Sequence, residues 1–355
     1  MRHKYNYDKF EHEISLGNRE VRAEGKDLVV DYLFSEAIDS FINVKKAEGC
    51  RNSTLKEYSR TFGYFTDYLD EFKSEIRFIH ELTTSDVRDY INFLQFDRIQ
   101  YDGLSDKENG KVGLAPATIN IRLRNLRTFY NFLNREGYTD INPMTPIKQL
   151  RTDTEKIRYF TDDEINKILN VIDVKTYAGF RSKILIYFYL DGGYRVAEPV
   201  NLRKSDIDFD RRICTLPANE SKTRKYRDVP VSKFVLDLIG RLIKENEKFF
   251  GESDFIFLSA FGDPLKPDAI RRLFHRYARR AGLAQIQPGR FRHTFAIKYL
   301  KKGGDIMTLS KIMGHSSIKT TENYLQFSRD DIVAAHEKFA PSKDFYKRKS
   351  IRNRI

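Results

Sequence analysis

Apolar residues recur at helical spacing along most of the N-terminal half. Phe34, Ile38, Phe41 and Ile42 share one face and predict a first helix from about Asp31. Ser53 is the expected N-cap of a second helix, which carries Tyr58, Phe62, Phe65 and Leu69. The cluster Thr83-Thr84-Ser85-Asp86 precedes a third, with Val87, Tyr90, Ile91 and Leu94 as its stripe. A fourth opens at Pro116, runs to Arg135 and closes at Gly137, with Ile119, Leu123, Leu126, Tyr130 and Leu133 inward. The charged, glycine-bearing stretch 97–113 reads as an exposed loop. Residues 31–150 therefore form a helical domain, and residues 1–30, with little periodicity, form a segment of unassigned role.

The pattern changes after a polar linker at 151–157. Thr161-Asp-Asp-Glu164 is a capping box that starts a new helix, and its acidic first turn suits the helix dipole. An apolar segment from Ile184 to Leu190 ends at Gly192-Gly193-Tyr194-Arg195. Short strands are expected at Ile213–Leu216 and Val229–Val231, joined by a basic turn from Ser221 to Arg227. Helices resume at Ser232, with Val235, Leu238, Ile239 and Leu242 at helical spacing. Another starts near Pro267 and carries Arg271, Arg272, Arg276, Arg279 and Arg280 before Gly282. Asp330 to Phe339 is a last helix candidate, ahead of a basic tail at 341–355. The expected fold is mainly α with a small β-sheet: the helical domain, then a mixed α/β domain over 158–340.

A chain of 355 residues has room for two cores. Its 40% hydrophobic and 13% aromatic content excludes a disordered chain, and no apolar run is long enough to span a membrane. The charged opening MRHKYNYDKF has no apolar core of a secretory signal. Cys50 and Cys214 alone exclude a disulfide framework or a thiolate metal cluster. The expectation is a cytoplasmic, nucleoid-associated protein with no membrane partner, no cofactor and no metal. A net charge of +13 calls for a polyanion, nucleic acid first. On the fourth helix Asn120, Arg124, Arg127 and Asn131 share a face that suits phosphates and base edges, although a merely solvated face has the same pattern.

The chain has no glycine-rich phosphate loop, no HExxH and no Cys/His group at zinc spacing. It has an ordered series of cations followed by a tyrosine: Arg195, Lys222, Arg292, His315 and Tyr324. Four stretches carry them: Gly193-Tyr-Arg195-Val-Ala-Glu198, Ser221-Lys222 through Pro230, Phe291-Arg292-His293-Thr294, and Met313-Gly314-His315 through Tyr324. In this order they resemble the four active-site boxes of the tyrosine recombinase (phage integrase) family, and residues 31–150 are similar to its core-binding domain. The resemblance implies a site-specific DNA recombinase or integrase. Tyr324 would attack the scissile phosphate to leave a 3′-phosphotyrosyl link and a free 5′-hydroxyl. Arg195 and Arg292 would grip the phosphate oxygens, Lys222 would protonate the leaving oxygen, and His315 would hydrogen-bond the phosphate. Glu198 would orient an active-site arginine. The same resemblance implies double-stranded DNA held by both domains, with Arg271, Arg272 and Arg276 among its contacts. It also implies a tetramer on two DNA sites and leaves room for accessory DNA-bending or directionality proteins.

Two positions depart from the family pattern. Gly289 stands where a histidine three residues before the second arginine is usual, with Arg290 beside it as an alternative source of charge. Pro199 follows Glu198, where it would bend a helix carrying Arg195. His293 reads as structural. These departures keep a second reading open, a DNA-binding regulator with the recombinase fold and weakened cleavage. A relaxing enzyme with the same chemistry is a third.

Overall fold

The computed structural model describes residues 21–24, 27–99, 112–153, 157–217, 226–284, 287–325 and 329–345. It divides into two compact units, Met1–Thr154 and Glu155–Ile355.

The first unit opens with an antiparallel hairpin that the sequence pattern does not announce, β1 (Val21–Glu24) against β2 (Asp27–Val30). Four helices follow: α1 (Phe34–Ala47), α2 (Asn52–Phe72), α3 (Thr84–Asn92) and α4 (Pro116–Arg135). Thr83 caps α3, its hydroxyl accepting from Asp86 N–H while the Asp86 carboxylate accepts from Thr83 N–H. Ser53 does not cap α2. The Arg51 carbonyl takes the first amide bonds, and Ser53 sits inside the first turn. The loop expected after α3 begins as a π-helical turn, Phe93–Asp97, and its stem is pinned by an Ile99–Val112 bridge; residues 100–111 lie outside the described residues. The inward face of α4 is wider than its periodic stripe, because Phe129 and Phe132 are buried as well. Both rings meet Phe41 edge-on, as do Tyr58 and Phe62, with centroids 5.0–5.5 Å apart. Truncating that fully buried Phe41 would cost about 3–5 kcal/mol.

In the second unit α5 (Asp162–Asn170) starts at the predicted Thr161–Glu164 capping box. The segment Ile184–Leu190 lies inside a longer helix, α6 (Tyr177–Gly192), which is buried on every side and closes at Gly193 in the left-handed conformation. Three strands form an antiparallel meander, β3 (Ile207–Asp208), β4 (Ile213–Leu216) and β5 (Arg227–Pro230), with Cys214 between Ile207 and Val229. The tip of the β4–β5 hairpin, which holds Lys222 and Lys225, lies outside the described residues. Ser232 caps α7 (Lys233–Phe250), and α8 (Pro267–Arg280) and α9 (Gly289–Lys301) follow. The core fills the space around α6, which packs between α7 and α9. Two short helices, α10 (Ile306–Met313) and α11 (Ile318–Glu322), then carry the chain to Tyr324. A last helix, α12 (Arg329–Phe339), begins one residue ahead of its expected start, and residues 346–355 of the expected tail lie outside the described residues.

Candidate active site

Two helix C-termini build the site. A helix ends with unpaired carbonyls and partial negative charge, which attract cations. α6 ends at Gly193 and α10 at Gly314, both with φ near +60°, where an L side chain is strained. Space forbids a side chain as well: a Cβ at Gly193 would lie 2.4 Å from Phe295, and one at Gly314 2.8 Å from Arg227. Arg292, on α9, reaches across to both ends. Its guanidinium donates to the Gly193 carbonyl at 2.5 Å and to the Met313 carbonyl at 2.7 Å. Arg195 donates to the Gly314 carbonyl at 3.0 Å and to Glu198 at 2.9 Å.

No α-helix carries Arg195 to Glu198. The segment is a turn, closed by the Arg195 N–H donating to the Glu198 carboxylate at 2.7 Å. Pro199 bends nothing, because it opens a 3-10 turn (Pro199–Asn201), where its missing N–H costs no hydrogen bond. Glu198 is nearly fully buried and is shared between two arginines. The second is Arg227 on the inward face of β5, which grips the carboxylate with both terminal nitrogens at 2.7 and 2.8 Å. Burial pushes the Glu198 carboxyl up, but Arg227 and Arg195 outweigh it and hold the group below its ordinary range. Sequence reasoning passed over Arg227 as one basic residue of a hairpin. The signal available was its period-two alternation with Val229, which puts it on the buried side of the strand.

Arg195 and Arg227 pair with the one carboxylate of Glu198 and Arg292 lies within its field, so positive charge is in excess among the described residues of the site. Burial, then the nearby Arg195, depresses Arg292 to about 10, so it remains charged at neutral pH. Such a site suits an anion. His315 lies against the cluster, and burial together with Arg292 and Arg195 lowers it to about 4. Its tautomer follows from its partners. Arg292 can only donate, so His315 Nε2 accepts at 3.0 Å and Nδ1 donates to the buried Thr321 hydroxyl at 2.8 Å.

Tyr324 is 5% exposed and packs with Ala296, Ile297, Leu300, Leu309 and Met313. Its ring lies nearly parallel to that of His315 at 6.2 Å, and its hydroxyl is 3.0 Å from His293 Nδ1. Burial pushes the phenol above its ordinary range, and Arg292 and Arg195 pull the other way. The structure therefore brings together Arg195, Arg292, His315 and Tyr324 with Glu198, in one chain. His293, expected to be structural, stands at the tyrosine oxygen.

Other expected site residues are placed elsewhere. Arg290 turns to the start of the unit, stacking on Phe160 at 4.1 Å and pairing with Glu164 at 2.7 Å, so its charge is already matched. Asn120 is buried, its amide group locked to the Leu150 backbone at 2.8 and 2.9 Å in both directions, which removes it from any DNA-facing surface. Arg127 donates to the Ile147 carbonyl. These bonds tie the end of the first unit onto α4. Arg124 is exposed, as are Arg271, Arg272 and Arg276 on α8, although Arg271 is paired with Asp268.

The phage integrase family model matches residues 158–330, and the phage integrase SAM-like domain model matches residues 33–150. The tyrosine recombinase XerC of Oceanobacillus iheyensis is 30% identical over 312 residues, which cover 86% of this chain and 95% of that protein. The chain belongs to the tyrosine recombinase (phage integrase) family. The tyrosine recombinase XerD of Listeria innocua is similar at 24% identity over 86% of this chain and 99% of that one. The recombinase also shares its fold with the Tn1549 transposon integrase solved with transposon right end DNA. The TM-score is 0.68 at 22% identity, over 87% of this chain and 100% of that chain. A lambda integrase dimer bound to a COC′ core site gives 0.63 at 16%, over 91% and 81% respectively. The recombinase is thus a site-specific tyrosine recombinase with a helical N-terminal domain and a catalytic domain. Among the described residues no helix is long and apolar enough to cross a membrane.

Proposed function

We propose that this recombinase cuts and rejoins double-stranded DNA with Tyr324 as nucleophile, acting on the phosphate bound by its own subunit. The observation that carries this reading is the convergence of Tyr324, His315, Arg292 and Arg195 within one unit of one chain. The Tyr324 Oη–phosphorus bond forms as the phosphorus–O5′ bond breaks, leaving a 3′-phosphotyrosyl ester and a 5′-hydroxyl. Charge grows on the non-bridging oxygens in the transition state. Arg195 and Arg292, prepositioned by the two helix ends and Glu198, meet that charge without reorganising. His315, protonated at Nε2 once the phosphate is in place, donates a hydrogen bond to it, and Lys222 protonates the departing O5′. Because the ester retains the energy of the broken bond, a 5′-hydroxyl from another duplex reseals it without ATP.

Exposed Arg124, Arg271, Arg272 and Arg276 supply phosphate contacts outside the site. The DNA-bound integrases that share the fold support DNA as the substrate here. Exchange between two duplexes calls for a tetramer on two sites, with accessory DNA-bending or directionality proteins choosing the outcome. A nicked duplex bearing a site selected by binding from the native genomic neighbourhood traps the adduct, since the short strand beyond the break diffuses away. Wild type should become attached to it in an SDS-resistant form and Tyr324→Phe should not, with DNA binding nearly equal. Specific binding with no attachment by wild type would favour a DNA-binding regulator instead.

A further inference from the structure

Tyr324 needs somewhere to send its proton. The phenol is buried and held above its ordinary range, so it enters the reaction protonated and gains nucleophilicity only as the proton leaves. Arg292 and Arg195 bear on the same oxygen but have no lone pair to offer. His315 has its Nε2 lone pair occupied by Arg292 and its Nδ1 turned to Thr321. Gly289 has no side chain, and a Cβ there would meet nothing within 4 Å. Among the described residues the acceptor at hydrogen-bond distance is His293, with Nδ1 3.0 Å from the hydroxyl.

We infer that His293 is the general base of the cleavage step, taking the Tyr324 proton on Nδ1 as the oxygen attacks phosphorus. The inference rests on Tyr324 being the nucleophile. One proton leaves Tyr324 Oη for the His293 lone pair, and another leaves Lys222 for O5′. In the reverse step the incoming 5′-hydroxyl returns its proton to Lys222, and the His293 imidazolium returns the first proton to the tyrosine. No external acid or base is consumed. The ring is held ready for this role: it is half-buried on α9, and burial and then the adjacent Arg292 lower its pKa, so it is neutral and able to accept near pH 7. Among the described residues Tyr324 and Arg292 are the titratable groups bearing on it, with the His315 ring nearly parallel to that of the tyrosine at 6.2 Å. The open place at Gly289 lies one helical turn before His293, on the same face of α9. A histidine there would stand on the same helix face, with open space around its Cβ.

The test uses the full chain and a nicked site whose scissile link is a 5′-bridging phosphorothiolate. That sulfur leaves without protonation, so Lys222 drops out of the pH profile and the base alone is read. Wild type should form adduct at a rate nearly flat from pH 7 to 9. His293→Asn should be slower by about 100-fold or more at pH 7, with DNA binding retained, and should gain about tenfold per pH unit as hydroxide replaces the lost base. Gly289→His in the His293→Asn background should restore a flat profile. A His293→Asn rate equal to wild type, or a slow rate that stays flat with pH, overturns the assignment. Should His293→Asn fail to fold, the wild-type profile decides, because a tenfold rise per unit above pH 7 in wild type also overturns it. Absence of any Tyr324-dependent adduct in wild type would instead sink the nucleophile reading on which this one rests.

Discussion

His315 is a histidine kept neutral by its neighbours, and that has a measurable consequence. Burial and the two flanking arginines lower it to about 4, so it carries no charge in the DNA-free protein at neutral pH. A phosphate placed against it reverses the balance, because an anion favours the imidazolium. The bound pKa then exceeds the free one, the complex takes up a proton, and affinity rises as pH falls. Binding of Tyr324→Phe to its site, at fixed ionic strength, should therefore tighten by about three- to tenfold between pH 7 and 5.5. His315→Asn should remove that dependence, and a pH slope that survives the substitution would place the proton elsewhere. In the folded protein alone the sign is opposite. A lowered folded pKa means stability is full above the unfolded value and falls as pH drops from about 6.5 toward 4. At this scale the sequence was informative where the chemistry demands a fixed order of residue types, as with Arg195, Arg292, His315 and Tyr324. It was misleading at Asn120 and Arg290, which sit on polar faces in sequence but find backbone or carboxylate partners inside the fold. Direction of a side chain is a tertiary property, and spacing does not encode it.

Between elements, β5 and the turn after α6 are joined by one buried ion pair, Arg227 to Glu198. A buried carboxylate is tolerable only while its partners stay. Removing one leaves an uncompensated charge, whereas removing both leaves none. Arg227→Met should thus lower unfolding free energy by about 3–5 kcal/mol, and the Glu198→Gln/Arg227→Met double variant should lose clearly less. Urea denaturation of wild type, Arg227→Met, Glu198→Gln and the double variant measures the coupling; an Arg227→Met within about 1 kcal/mol of wild type would show that Arg195 alone suffices for Glu198. Cleavage should fall in both variants, since Arg195 loses the carboxylate that holds it or the partner that holds the carboxylate. The elements themselves were unevenly legible. α3, α4, α5 and α7 carry a cap or a proline and a one-sided stripe, which are local signals. α6 is buried all round, so it shows no period and reads only as an apolar run. β3 has two residues and is held by its partner Ile213–Cys214 pairing rather than by its own pattern.

For the whole molecule, the net charge of +13 becomes a statement about salt. Each phosphate neutralised by a lysine or arginine releases counterions, so affinity falls as a power of salt concentration, with an exponent near the number of contacts. The catalytic pocket accounts for few of those contacts. On the proposed reading the rest come from exposed side chains such as Arg124 on α4 and Arg272 and Arg276 on α8, whereas Arg271 is paired with Asp268. Substituting Arg272 and Arg276 by Gln, one at a time, should weaken binding to cognate and unrelated DNA alike and reduce the salt slope by about 1 each. The cleavage rate of fully bound complex should not change, because neither guanidinium reaches Tyr324. Arg195→Gln should do the reverse, leaving the slope within about one contact of wild type and removing cleavage. If the α8 variants keep the full slope, that helix faces away from DNA, and the positive charge that draws the duplex in lies on other surfaces of the two units.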